Sequence, residues 1–423
     1  MKDKILDHLH QRKNIFLTGG AGVGKTTLVK DIINQYMIDS KKVAKLASTG
    51  MAATLIGGQT LHSFLDLGIF NTIEELNASS KANISKKVKK ILSSVDLIII
   101  DEISMVSASL MELIALRLSQ SEFNGSLLVV GDFLQLPPVV KNSFNVDFAF
   151  ESPSWESLQF TTIVLDKNYR TADNVFIDIL NSVRFARIDD NCHEFLNSLV
   201  KPFQEDLKNF TILFGKNSSV HVHNRRQLSY IDSDLHIKEC GIVKHLDSIT
   251  QKEVDKFIDD SRIIKQLELK IGVPVLFTRN SWNYFNGERG VIVNIDERYL
   301  YVLKSDSSVI KLEQVAQSKS VWVEKEIDGK KEMIESEVFT VYQYPVQLAF
   351  AITIHKSQGM SITDLIVETN EIFAPSQFYV ALSRATSVSR LILIKPKRDW
   401  RSLIFVDRKA VEFTLSNQES SIS

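Results

Sequence analysis

Gly19-Gly20-Ala21-Gly22-Val23-Gly24-Lys25-Thr26 constrains this chain more than any other stretch. It reads G-x-x-x-x-G-K-T, after a short apolar run, Ile15-Phe16-Leu17, and before Leu28-Val29-Lys30-Asp31-Ile32-Ile33, which has helical spacing. Strand, glycine-rich turn and helix in that order make a phosphate-binding loop. Glycines let backbone N–H groups fold around a phosphate, and the helix N-terminus adds the positive end of its dipole. Gly22, Gly24 and Thr27 fall in this cradle. Lys25 is placed to reach the β- and γ-phosphates of ATP, and Thr26 to offer its hydroxyl to Mg²⁺. An α/β fold that binds a nucleotide follows.

The 423 residues leave room for more than one buried core. Lys+Arg 50 against Asp+Glu 51 leaves a net charge of −1, so the total announces no polyanionic partner. A local basic track can still serve one. Cys192 and Cys240 fit neither a disulfide framework nor a metal cage, which points to a reducing compartment. His221 and His223 lack the acidic or cysteine companions of a metal site. The opening MKDKILDHLHQRKN has no apolar h-region, and no apolar run nears the ~18 residues of a membrane span. A cytoplasmic protein with no membrane partner is expected.

Further strands end in chemically loaded turns. Val43 to Ala47 runs into Ser48-Thr49-Gly50-Met51-Ala52-Ala53 and then Thr60-Leu61-His62-Ser63-Phe64. This is either a binding turn at the sheet's carboxyl edge or a plain connector. Residues 65–90 lose periodicity and carry Lys81, Lys86, Lys87, Lys89 and Lys90, a solvated helix face or a phosphate-facing track. Leu97-Ile98-Ile99-Ile100, apolar throughout like a strand covered on both faces, ends in Asp101-Glu102. In an ATP site Asp101 holds Mg²⁺ and Glu102 positions or deprotonates the attacking water; a structural carboxylate pair is the other reading. Ser126 to Val130 is a fourth buried strand, ending in Gly131-Asp132-Phe133-Leu134-Gln135-Leu136-Pro137-Pro138, where Gln135 can sense the γ-phosphate.

A second lobe begins near Asn168-Tyr169-Arg170. Between about 266 and 340 the apolar period changes to two, with Asn286-Gly287 as a turn signal, which predicts a small inserted barrel. Val346 to Gly359, containing His355-Lys356-Ser357-Gln358-Gly359, returns to buried α/β character, and Gln377 to Ala385 is a helix carrying Arg384. Ser416 to Ser423 is polar and expected to fray. Arg170 and Arg384 lie just outside the first sheet, where a cleft between lobes presents them to the γ-phosphate only on closure. Thr60, His62, His355 and Lys356 then face a polymer as phosphate contacts and stacking surfaces. Together these describe a motor that walks on a polymer.

These motifs, in this order, resemble the petite-integration-frequency helicases of the RecD-like branch of superfamily 1. The resemblance covers most of the chain. It implies two RecA-like parallel-sheet domains forming an ATP cleft, with ATP-driven 5′-to-3′ movement on single-stranded DNA and unwinding of forked or tailed duplex. By family role Lys25, Thr26, Asp101, Glu102, Gln135, Arg170, Gly359 and Arg384 line the cleft, and Thr49, His62, His355 and Lys356 fall in DNA-holding segments. The expected division is 1–165 for the first domain, with a strand-separating wedge at about 65–92. Residues 166–265 and 341–423 form the second domain, and 266–340 its SH3-like barrel. A monomer is expected. The chain departs from the family where Glu122-Phe123-Asn124-Gly125 replaces a Pro-Phe-Gly-Gly signature, and no adenine-reading glutamine is evident ahead of the first strand. A DNA-stimulated ATPase that displaces proteins without unwinding, and a nucleotide switch with no polymer partner, are the alternatives.

Overall fold

The structure is a computed structural model. It describes residues 1–48, 52–53, 56–68, 70, 72–79, 81–138, 147–202, 210–246, 248–261, 263–327 and 330–419. Successive side chains on a strand go to opposite faces, so a run that is apolar at every position is buried on both. Ile15, Leu17, Leu97, Ile99, Leu128 and Val130 pack with Ile5 and Leu9 of helix Lys2–His10 and Val29 and Ile33 of helix Lys25–Ile38. Phe16, Ile98, Ile100, Leu127 and Val129 share the opposite core with helices Lys86–Ser94 and Ala108–Ser121. The strands are β1 (Ile15–Gly19), β2 (Val43–Ala47), β3 (Gln59–Thr60), β4 (Leu97–Asp101), β5 (Ser126–Gly131) and β6 (Thr161–Leu165). All pair in parallel, in the order β3-β2-β4-β5-β1-β6. The turns after β1, β4 and β5 therefore open on one carboxyl edge, where open α/β sheets bind ligands.

β7 (Thr211–Phe214) starts a second parallel sheet that is finished only near the end of the chain. Between lie β8 (His236–Glu239), β9 (Gly241–Lys244), β10 (Gln266–Leu269), β11 (Pro274–Phe277), β12 (Arg289–Ile295), β13 (Leu300–Lys304) and β14 (Val309–Leu312). A long hairpin, β15 (Val315–Ile327) with β16 (Lys330–Gln343), and β17 (Val346–Leu348) follow. The five-stranded antiparallel sheet of the insertion runs β14-β13-β12-β11-β17 over Val275, Phe277, Ile292, Leu300 and Val302. The second lobe closes with β18 (Ala351–Thr353), β19 (Leu365–Val367) and β20 (Leu391–Leu393), in the order β18-β7-β19-β20.

The structure departs from the sequence reading at the hairpin, the Val346 stretch and the last helix, and favours one of its two readings at the lysine run. Ser318 to Val323 belongs to the β15–β16 hairpin and not to the five-stranded sheet. The hairpin reaches the first lobe, whose core takes Trp322 and Met333, while Lys42 Nζ meets Glu332 at 3.2 Å and Lys90 Nζ meets Glu324 at 2.5 Å. The apolar stretch from Val346 splits, β17 completing the insertion's sheet and β18 entering the second lobe. Helix Lys86–Ser94 buries Val88, Ile91 and Leu92 in the first lobe's core. Its lysines meet carboxylates, Lys89 at Glu122 and Lys90 at Glu324, which favours the solvated-face reading.

Of the tail expected to fray, Ser416 to Glu419 form the last turn of helix Arg408–Glu419, and 420–423 lie outside the described residues. Phe413 explains it, stacking on Phe150 with centroids 4.1 Å apart and meeting Phe133 edge-on at 5.4 Å. Ala410 joins the same first-lobe core, so the chain's last helix returns to the lobe where the chain began.

Candidate active site

Gly22 and Gly24 take φ of +81° and +85°, a region L side chains enter only with strain. Gly24 caps helix Lys25–Ile38 without a side-chain bond, which leaves first-turn N–H groups for a ligand. Lys25 Nζ donates to the carbonyls of Gly19 and Gly20 at 2.7 and 2.8 Å. Burial holds this ammonium below the usual lysine range, opposed by the charges of Asp132 and Glu102. Thr26 and Thr27 stand exposed at the start of the helix.

Asp101 ends β4, and its Oδ1 accepts the N–H of Glu102 at 2.9 Å. Glu102 sits at φ +53°, a left-handed conformation unusual away from glycine, with its carbonyl accepting from Ser48 Oγ at 3.4 Å. Burial raises both carboxyls, and the neighbouring charge of Asp101 adds to lift Glu102 to about 7. Gln135 is buried, its N–H donating to the carbonyl of Asp132 at 2.9 Å.

The arginines come from the other lobe. Arg384, 2 % exposed, donates from Nε to Val380 O at 2.9 Å, from Nη1 to Ser357 O at 3.2 Å and from Nη2 to Ser383 Oγ at 2.8 Å. Arg170 donates from Nε to Ser361 Oγ at 3.0 Å and from Nη1 to Ser383 O at 2.6 Å. These acceptors are all uncharged. Burial, then the like charge of Arg170, pulls Arg384 down to about 9, and burial pulls Arg170 down to about 10. Two desolvated guanidiniums, one lowered by the charge of the other and with Glu102 the facing carboxylate, form a site an anion would relieve.

Four more residues join this cleft than the sequence reading named. Asp132, 1 % exposed, accepts from Arg184 Nε at 3.1 Å and Nη2 at 2.8 Å, and Arg184 ends helix Asn174–Arg184 of the second lobe. Tyr379 Oη accepts the N–H of Ala21 at 2.8 Å. Tyr169 donates its N–H to Gly22 O at 2.8 Å, and its ring, 69 % exposed, lies beside Gly24. Asp132, Tyr379 and Tyr169 stand inside recognisable motifs, so their neighbourhood was a signal. Arg184 carried none, since a basic residue in a helix's last turn is ordinary.

Of the polymer-facing candidates, Thr60 uses its hydroxyl to accept the N–H of Ser63 at 3.4 Å and so caps the one-turn helix Leu61–Phe64. His62, on that turn, is held below the usual imidazole range by burial and then by Lys256. His355 and Lys356 form a 3₁₀ turn with Ser357 directly after β18, where the Lys356 N–H donates to Thr353 Oγ1 at 3.3 Å. Ser357 is the residue whose carbonyl holds Arg384, so this turn and the cleft are one structure. Gly359 lies exposed at φ +76°. Thr49 lies outside the described residues.

A family model described as PIF1-like helicase matches residues 2–193. The ATP-dependent DNA helicase Pif1 of Campylobacter jejuni is 37 % identical over 437 residues, covering 98 % of this chain and 96 % of that protein. Pif1 from Bacteroides sp in complex with ADP-AlF4 is 26 % identical with a TM-score of 0.83, across 99 % of this chain and 96 % of that one. The unliganded Bacteroides protein gives 0.82 at 25 % identity and the form bound to single-stranded DNA 0.64 at 26 %, with the same coverage. With that identity across nearly the full length of both proteins, this chain belongs to the PIF1-like helicase family.

Proposed function

We propose that this chain, an ATP-dependent DNA helicase by its family, hydrolyses ATP between its lobes and uses their closure to move 5′ to 3′ on single-stranded DNA. The observation that carries the cleft assignment is the pair Arg170 and Arg384, desolvated, held by uncharged acceptors, and set toward Glu102 and the phosphate loop.

In this reading the N–H groups around Gly22 and Gly24 cradle the β-phosphate, and Lys25 leaves the carbonyls of Gly19 and Gly20 for phosphate oxygens. Thr26 and Asp101 are the residues fitted to hold Mg²⁺, whose charge neutralises the phosphates when bound; Asp101 is a half-buried carboxylate with no ion pair among the described residues. Glu102 takes the proton of the attacking water, and Gln135 reads the γ-phosphate beside it. Arg170 and Arg384 stabilise the charge that develops in transfer. The exposed ring of Tyr169 offers a face for the base.

Thr49, Thr60 and His62 on the first lobe, and His355 and Lys356 on the second, hold the strand. The Ser357–Arg384 bond supports transmission between the cleft and that strand. Residues 1–165 serve as one motor domain, with a wedge within 65–92, and 166–265 with 341–423 as the other, except that the inserted module extends beyond 266–340 to take in β8, β9 and β17, and helix Arg408–Glu419 packs on the first lobe. The likeness to the unliganded relative over the DNA-bound one supports reading the docked β15–β16 hairpin as the DNA-free arrangement. The chain acts as a monomer on single-stranded and tailed or forked DNA in the cytoplasm or nucleoid. Among the described residues no helix is long and apolar enough to cross a membrane.

The test is strand separation on duplexes carrying a single 5′ or 3′ tail. Unwinding of the 5′-tailed duplex alone is expected. Unwinding of the 3′-tailed one would reverse the direction, and DNA-stimulated hydrolysis with no unwinding would leave a motor that only displaces proteins.

A further inference from the structure

We infer that Ser361 is a positioning residue that ties Arg170 to the barrel loop between β11 and β12, so that the state of the cleft is felt at the barrel. The inference rests on the proposed contact of Arg170 with the γ-phosphate.

Ser361 touches both partners. Its Oγ accepts from Arg170 Nε at 3.0 Å, and its N–H donates to the carbonyl of Asn286 at 3.3 Å. The next loop residue, Gly287, has φ +89°, and a Cβ there would stand 2.4 Å from Ser361 O and 2.8 Å from Ser361 N. Only a glycine lets the two backbones lie so close, so a shift of one is passed to the other.

The loop is braced to move as a body. The Asn286 N–H donates to Asn280 Oδ1 at 2.7 Å, the Gly287 N–H to Phe277 O at 2.9 Å and the Phe285 N–H to Glu288 Oε2 at 3.1 Å. Glu288 in turn pairs with Lys304 at 3.0 Å, both side chains about nine-tenths buried. On its outer side the same loop carries Trp282, 94 % exposed, and Phe285, 48 % exposed. Large aromatics left in water on a rigid loop are faces on which bases can stack.

The direction of the effect follows from charge. Arg170 holds Ser361 as a cation on a neutral hydroxyl, and an anionic phosphate oxygen is the stronger acceptor. Drawn to the γ-phosphate, Nε releases Ser361, and the loop, still bonded to the Ser361 backbone, loses its tie to the cleft. An empty cleft thus holds the loop, and a filled one frees it.

The test measures the affinity of the full chain for a labelled single-stranded oligonucleotide, with and without a non-hydrolysable ATP analogue, together with ATP turnover. Ser361→Ala is expected to shrink the nucleotide-dependent ratio of affinities by about threefold to tenfold, the worth of one such bond. Its basal turnover should stay within about twofold of the unmodified rate, on the same scale. Ser361→Thr, which keeps the hydroxyl, should keep the ratio. Adding Ser361→Ala to Arg170→Ala should change the ratio no further than Arg170→Ala alone. An unchanged ratio in Ser361→Ala, or losses that add in the double variant, would overturn the relay while leaving Arg170 in the cleft. Normal turnover in Arg170→Ala would remove Arg170 from the chemistry and overturn the relay with it.

Discussion

Tyr379 Oη accepts the backbone N–H of Ala21 at 2.8 Å, so a helix of the second lobe rests on the phosphate loop of the first. Tyr379 is 3 % exposed, and burial holds its phenol above the ordinary range, so it stays a neutral hydroxyl. Tyr379→Phe keeps the ring and leaves that N–H without its acceptor. The expected loss is about 1–3 kcal/mol of unfolding free energy, read from urea denaturation. An unchanged midpoint would show that water replaces the hydroxyl at no cost.

Asp132 and Arg184 make the second clasp between lobes. Removing one member of a buried pair strands the other charge, at about 3–5 kcal/mol, whereas replacing both costs far less. Asp132→Ala and Arg184→Met should each destabilise by that order, and the double variant should recover most of it in the same denaturation experiment. Additive losses would mean that each residue acts through other contacts.

Glu102 sets a pH dependence. It accepts a proton only when ionised, and its carboxyl is raised to about 7 by burial and by Asp101. The ionised fraction therefore climbs across about pH 6 to 8, and kcat/KM for ATP should rise with it. The sign for stability is opposite. A raised carboxyl favours the protonated fold, so this residue's contribution is lost as pH climbs from the ordinary glutamate range through about 7. Glu102→Gln should bind ATP, barely cleave it, and lose this rise in kcat/KM. A flat profile in the unmodified enzyme would remove Glu102 from the proton-accepting role.

Legibility divided along a physical line. The phosphate loop, Asp101-Glu102 and Gln135 were readable because a buried parallel strand ending in polar residues is a local pattern, and the strands alternate their two faces as such a pattern requires. Arg184, the docked hairpin and helix Arg408–Glu419 were not, because each is defined by a partner more than fifty residues away. Trp322 shows the limit: period-two spacing placed it on a strand but could not say that its face would meet the first lobe.

That contact makes its own prediction. If the hairpin holds the DNA-free arrangement, Trp322→Ala should speed association with single-stranded DNA in stopped-flow fluorescence, because the loss of its burial weakens docking. Reversing Lys90 alone should do little, since half-exposed pairs contribute only about 0–1 kcal/mol. Slower association in Trp322→Ala would mean that the hairpin helps hold the strand instead.

The most direct measurement is ATP hydrolysis with and without single-stranded DNA, at one stated ionic strength because phosphate contacts are salt-dependent. Strong stimulation by DNA, abolished in Lys25→Ala, is the predicted result. A rate indifferent to DNA would contradict the motor and leave a nucleotide switch, with the strand-holding roles of His62, His355 and Lys356 withdrawn.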